Sequence, residues 1–213
     1  SFLTCRSPSQ LKLLLVDPKM VELTSYNSLP HLLAPVVVDM EMFKEILGKL
    51  TIELKRRFSL LQLSRSRDIE AHNAKTEEKL PHIVLVVDEL ADVMAELRED
   101  AEEPLSKIAA MGRAAGIHLV LCTQRPSVNA IPGKIKANLP ARIAFATASG
   151  IDSRIILDQS GAEKLLGSGD CLLVTPDAAK PVRVQATFVS DDEIEKLVDS
   201  WAKRPVSSRV NRP

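Results

Sequence analysis

An α/β fold, with a mainly parallel β-sheet flanked by helices, is predicted by three features of the 213-residue sequence. Short apolar runs recur, and their continuous rather than alternating character is the habit of strands covered on both faces. Longer stretches with apolar residues three and four apart lie between them. Turn and polar residues bound the runs. Strands and helices in this alternation imply right-handed βαβ crossovers with helices on both faces of the sheet.

The strands are read at Leu11–Val16, Ile83–Val87, Leu119–Cys122, Ile143–Ala146, Cys171–Val174 and Val182–Val189. Met40–Leu63 reads as one long helix, because Phe43, Ile46, Leu47, Leu50, Leu54 and Leu61 recur at helical steps with charges between them. Asp39 is its expected N-cap. Ser64–Lys79 has no apolar rhythm and reads as a mobile surface loop. Leu90–Leu97 and Leu105–Ala115 are the next helices, split by the acidic stretch Glu99–Glu103 and Pro104, and Gly116 ends the second. Asp191–Trp201 is a last amphipathic helix, and RPVSSRVNRP, 204–213, is a tail or linker.

Composition excludes several classes. Lys and Arg number 28, as do Asp and Glu, so no global basic field draws the chain to nucleic acid, and binding there needs a local patch. Aromatic residues make up 3%, too few for a base-stacking platform. Cys5, Cys122 and Cys171 form no CxxC pair, which suggests neither a disulfide framework nor a zinc site and fits a reducing cytosol. No uncharged apolar stretch approaches the roughly 20 residues that cross a bilayer.

The sharpest local signal is HIVLVVDEL, 82–90. A buried strand that ends in two carboxylates delivers them to the C-terminal edge of a parallel sheet, where ligands bind. In this Walker B pattern Asp88 holds Mg²⁺ through water, and Glu89 orients and deprotonates an attacking water. The same residues also suit a plain strand running into a helix whose first turn favours acids. HLVLCTQRP, 118–126, ends a neighbouring strand in Thr123 and Gln124, where Gln124 can act as a polar sensor of a γ-phosphate or simply order a loop. His118 reads as a structural hydrogen-bonder.

Six ordered stretches, LLLVDPKMVEL (13–23), PHLLAPVVVDM (30–40), HIVLVVDELADVM (82–94), RAAGIHLVLCTQRPSV (113–128), IKANLPARIAF (135–145) and IDSRIILDQSGAEKLLGSGD (151–170), together resemble the FtsK/SpoIIIE family of double-stranded DNA translocases. The resemblance runs from about residue 11 to residue 203. It implies a RecA-like P-loop NTPase core over 1–203, with ATP and Mg²⁺ as cofactors, double-stranded DNA as partner and a homo-hexameric ring. One departure stands out. The family's Walker A loop, GxxxxGK[ST], is missing: Gly133-Lys134 has Val128 in place of the first Gly and Ile135 in place of the hydroxyl. That loop supplies most of a phosphate cradle. The chain is therefore expected to be the C-terminal part of a motor domain, inactive by itself.

Within such a ring the resemblance assigns Arg113 as an arginine finger acting on a neighbour's ATP. A helix C-terminus also attracts Arg merely through its dipole. Arg125, Lys136 and Arg154 match basic positions facing DNA, with Lys134 and Arg142 close in sequence, and they would touch phosphates without reading bases. Gly150 stands where a Lys is expected. Lys19 is read as structural or interfacial. The implied function is ATP-driven translocation of duplex DNA in chromosome segregation at division or sporulation, from the cytoplasmic side of a membrane-anchored bacterial protein. A degenerate, non-hydrolysing assembly module is the alternative.

Overall fold

A computed structural model describes residues 2–178 and 180–204. A short helix α1 (Phe2–Cys5) leads into strand β1 (Leu11–Val16), and helix α2 (Met40–Leu63) follows after a long connection. Next come α3 (Ile69–Lys75), β2 (His82–Val87), α4 (Leu90–Leu97), α5 (Glu99–Ala115) and β3 (Ile117–Leu121). The last part holds α6 (Gly133–Asn138), β4 (Arg142–Phe145), α7 (Gly150–Leu157), β5 (Asp170–Val174), β6 (Val182–Gln185) and α8 (Asp191–Ala202). The expected tail beyond Arg204 lies outside the described residues.

Strands β1, β2 and β3 pair in parallel in that order, with Val16 opposite Val87 and Val87 opposite Leu121. Helices cover both faces, as expected. Leu14, Val16, Leu85, Val87 and Ile117 point into a core shared with Phe43, Leu47 and Leu54 of α2 and with Leu105 and Ile108 of α5. Leu11, Leu13, Leu15 and Val84 face the other way, onto Leu3, Val198 and Trp201. Trp201 Nε1 donates to the Leu3 carbonyl at 2.8 Å and so ties α8 to α1.

The remaining strands depart from a single parallel sheet. β4, β5 and β6 form a separate antiparallel sheet, in which Phe145 pairs with Cys171 and Cys171 with Val184. Apolar runs report burial but not strand direction, and β4 alternates, with Ala144 buried between exposed Ile143 and Phe145. The strand expected over 182–189 stops at Gln185.

Three local readings also change. Residues 64–79 are not a plain loop: Asp68 caps α3 by accepting from Ala71 N at 2.8 Å, and the one apolar side chain facing inward, Ile69, is fully buried. The acidic stretch lies inside α5, not between helices. α4 and α5 part at Arg98, whose φ of 46° breaks the helical path. Glu99, Asp100 and Glu102 then complement the positive end of α5. Pro104 sits in its second turn, where it forgoes only one carbonyl bond. Gly116 does end α5, in the left-handed conformation.

Candidate active site

The C-terminal ends of the parallel strands gather the charged residues. Asp17 follows β1 and Asp88 follows β2, and the pairing of Val16 with Val87 brings these two carboxylates side by side. Asp17 is fully buried. Its Oδ2 accepts from Glu22 N at 3.0 Å and Leu23 N at 2.9 Å, and its Oδ1 has no partner. Burial, and then the charges of Asp17, Glu22 and Glu89, push the Asp88 carboxyl above its ordinary range, against a smaller pull from Lys19.

Glu89 is buried at the start of α4 and serves as its N-cap, accepting from Ala91 N at 3.3 Å. Oε1 also accepts from Thr123 Oγ1 at 2.5 Å, and Oε2 accepts from Gln124 N at 3.2 Å. Burial alone would raise this carboxyl. The bonds from Thr123, Gln124 and Ala91, together with Lys19, reverse that and hold it below its usual value. Gln124 thus meets Glu89 through its backbone amide, while its side chain is exposed beside a cleft of about 1700 Å³ that Thr123, Arg125, Asp92, Thr147 and Asp152 also line.

Like Asp17, two further residues at this edge were not singled out by the sequence as site residues. Lys19 Nζ lies 3.7 Å from Glu89 Oε2 and 3.6 Å from Asp92 Oδ2. The turn after β1 aims it there, closed by Met20 N donating to the Asp17 carbonyl at 3.2 Å, with Met20 at φ 58°. Asp92 stands three residues after Glu89 on the same face of α4, and that spacing was the available signal. Asp92 also pairs with Arg125.

The other predicted residues fall in separate places. Arg113 is exposed in the last turn of α5, at the opposite, N-terminal edge of the sheet from Glu89, beside His118. His118 Nε2 and His82 Nδ1 share a hydrogen bond of 3.1 Å, with their rings stacked. Lys136 and Arg142 converge on Asp158, at 2.7 and 2.5 Å, and join α6, β4 and the end of α7. Lys136 also donates to the Arg154 carbonyl at 3.3 Å. The Arg154 side chain is exposed, and so is Lys134, whose nearest acid, Glu102, is 4.0 Å away. Among the described residues no three His, Cys, Asp or Glu side chains cluster to hold a metal by themselves, and no helix is long and apolar enough to cross a membrane.

The family model described as the FtsK/SpoIIIE family matches residues 1–128. This chain belongs to the FtsK/SpoIIIE family. It is 51% identical over 209 residues to the DNA translocase SpoIIIE of Bacillus subtilis, covering 93% of this chain and 27% of that protein. With the DNA translocase FtsK of Caldanaerobacter subterraneus the identity is 52% over 200 residues, 93% of this chain and 28% of the relative. The chain therefore spans about a quarter of the length of these relatives. Among solved structures it is similar to the monomer form of the pCW3 conjugation coupling protein TcpA with ATPγS, at 28% identity and TM-score 0.78 over 91% of this chain and 57% of that one. The cytoplasmic domain of the type VII secretion ATPase EccC of Thermomonospora curvata shares the fold, with TM-score 0.79 at 22% identity over 99% of this chain and 26% of that one. The RecA-like P-loop core expected for this FtsK/SpoIIIE family member agrees with both.

Proposed function

We propose that this chain forms the hydrolytic edge of an ATP-driven motor that moves double-stranded DNA, acting in chromosome segregation at division or sporulation. The observation that carries the reading is the pair Asp88 and Glu89 at the C-terminal end of a buried parallel strand, with Thr123 and Gln124 of the neighbouring strand end bonded to Glu89. Turned out of those bonds, Glu89 would orient an attacking water and take its proton. Glu89 as found is engaged at both oxygens, which suits a resting site.

The residues fit a Mg²⁺ ion that keeps most of its waters. Asp17 Oδ1 is buried without a partner, and Asp88 beside it is pushed up by neighbouring negative charge that a cation would relieve. Asp88 would hold the ion through water, and bound there Mg²⁺ supplies charge neutralisation at the phosphates. Thr123 and the Gln124 side chain face the cleft where a γ-phosphate would be sensed. Because 1–213 carries no GxxxxGK[ST] loop, the phosphate cradle would come from a segment outside it, and the isolated chain would not turn over ATP.

Arg113 lies at the far edge of the sheet from Glu89, so it would serve as an arginine finger only for the ATP of a neighbouring subunit in a homo-hexameric ring. For DNA, exposed Lys134 and Arg154, and Arg125, which pairs with Asp92 but is open to solvent, are the candidates for phosphate contact, while Lys136 and Arg142, largely covered against Asp158, would shape the loops that carry them. The relatives that are 47–52% identical and named DNA translocases support DNA as the cargo. The cytoplasmic side of a bacterial inner membrane suits such a motor.

The missing phosphate loop favours one other reading, an assembly module that docks in a ring without hydrolysis. Phosphate release from the full-length protein separates the two. Glu89→Gln is expected to retain ATP binding and to lower DNA-stimulated release by about a hundredfold or more. Unchanged turnover in Glu89→Gln removes the role given to Glu89, and a wild-type protein without turnover leaves the assembly module standing.

A further inference from the structure

Four charges of alternating sign run from the core to the surface at this edge. Glu89 Oε2 lies 3.7 Å from Lys19 Nζ, and the same Nζ lies 3.6 Å from Asp92 Oδ2. Asp92 offers its other oxygen to the Arg125 guanidinium. Lys19 is thus shared almost equally by two carboxylates, and Asp92 by two cations. Glu89 is 1% exposed, Lys19 44%, Asp92 28% and Arg125 63%, so the two cations are the members open to solvent and Arg125 is the more open of them. An anion arriving from solvent competes first for Arg125, the outermost member.

We propose that Asp92 is a positioning residue that couples capture of a DNA phosphate by Arg125 to release of Glu89, with Lys19 as the charge that moves. The inference rests on the reading of the site given above and goes beyond it by naming how DNA reaches the catalytic carboxylate. A phosphate that takes Arg125 leaves Asp92 with one cation instead of two. Lys19, on a flexible four-carbon stem, is then drawn to Asp92 and away from Glu89. Its Nζ stands between the two carboxylates and beyond hydrogen-bond distance of both, so a small swing closes the contact with one and opens it with the other.

A second link runs along the backbone. Thr123 Oγ1, which donates to Glu89, accepts from Arg125 N at 3.2 Å. Movement of Arg125 toward a phosphate therefore loosens the Thr123 bond to Glu89 as well. Lys19 follows β1, Glu89 and Asp92 open α4 after β2, and Arg125 follows β3, so one sheet edge brings the whole relay together.

The test is ATP turnover of the full-length protein with and without duplex DNA, with DNA affinity measured separately. Asp92→Asn leaves Lys19 wholly to Glu89 and frees Arg125. DNA should bind at least as tightly as to the wild type, while the stimulation at saturating DNA falls about fivefold or more. Asp92→Glu should restore it. Lys19→Gln acts in the opposite sense and should raise DNA-free turnover about fivefold. Wild-type stimulation in Asp92→Asn overturns the relay, as does a loss of stimulation that merely tracks lost DNA affinity. If Asp92→Asn does not fold, Lys19→Gln decides, and DNA-free turnover no higher than wild type overturns the proposal. A wild-type protein whose turnover ignores DNA overturns the underlying reading of the site, whereas DNA-stimulated wild-type turnover with unresponsive variants overturns the relay alone.

Discussion

The parallel sheet of β1–β3 and the antiparallel sheet of β4–β6 each contain three strands, yet they bury apolar surface very differently. β1 is covered on both faces, by α2 and α5 on one side and by α1 and α8 on the other. Behind the second sheet the buried core is Ala144, Leu157 and Ala162, and β6 is exposed along its whole length. Ile143, Phe145, Val182 and Val184 remain open to solvent. Charged contacts join this half: Lys136 and Arg142 to Asp158, and Arg183 to Asp170. Each of these pairs keeps one partner open to solvent, where screening weakens it, whereas hydrophobic burial drives folding strongly. The first half thus has the means to hold a site rigid, and the second has far less buried surface to hold it.

The largest effect is expected from Arg57, which is buried in the first half. It donates to Glu53 at 2.8 Å and, through Nη1, to the Ala115 carbonyl at 2.8 Å at the end of α5. Arg57→Met should destabilise the protein by about 3 kcal/mol in urea titration, because a buried carbonyl loses its partner. A loss below about 1 kcal/mol would mean that this half is less dependent on its interior bonds than its burial implies.

Asp158→Asn tests the second half. Both partner bonds are short, and the Arg142 and Lys136 side chains hold this carboxyl below its ordinary range, but its side chain is 66% exposed. The expected cost is at most about 1 kcal/mol, read in the same titration. If it equalled that of Arg57→Met, the contrast between the halves would fail.

The smallest effect is a pH dependence within the first half. Burial above all keeps the His82 and His118 imidazoles below 6.5, with smaller help from Arg57 and against an opposing pull from Glu70. His118 is lowered further by His82 and Arg113, and His82 by Arg6. The unfolded chain therefore takes up protons first as the pH falls. This contribution to stability is complete above 6.5 and is lost as pH falls toward the lower folded-state values. The urea midpoint should drop between about pH 7.5 and about pH 5.5, and His118→Gln should flatten part of that drop. A midpoint that rises on acidification contradicts the sign.

Several of these features were legible in the sequence because they are local. Met40–Leu63 shows its helical spacing and its Asp39 cap, and both ends agree with the structure. Asp88 and Glu89 stand out because one strand delivers both. Lys19 and Asp92 did not, because their meeting depends on strand register and on the turn at Asp17–Met20, which no single stretch displays. The antiparallel sheet was hidden for another reason: in IAFA every residue is apolar, so the inward Ala144 and outward Ile143 and Phe145 read as one continuous run. α3 was missed because a single buried Ile69 anchors it, too little to make a rhythm.

In the ring we propose, one subunit's Glu89 edge and the next subunit's Arg113 edge form a single hydrolytic site. Its most direct test is DNA-stimulated phosphate release from full-length Glu89→Gln and Arg113→Ala proteins, each nearly inactive alone, after they are mixed in equal amounts. The mixture is expected to regain activity above either parent, because some junctions then pair an intact Glu89 with an intact Arg113. An Arg113→Ala protein that hydrolyses normally, or a mixture no more active than its components, would contradict it.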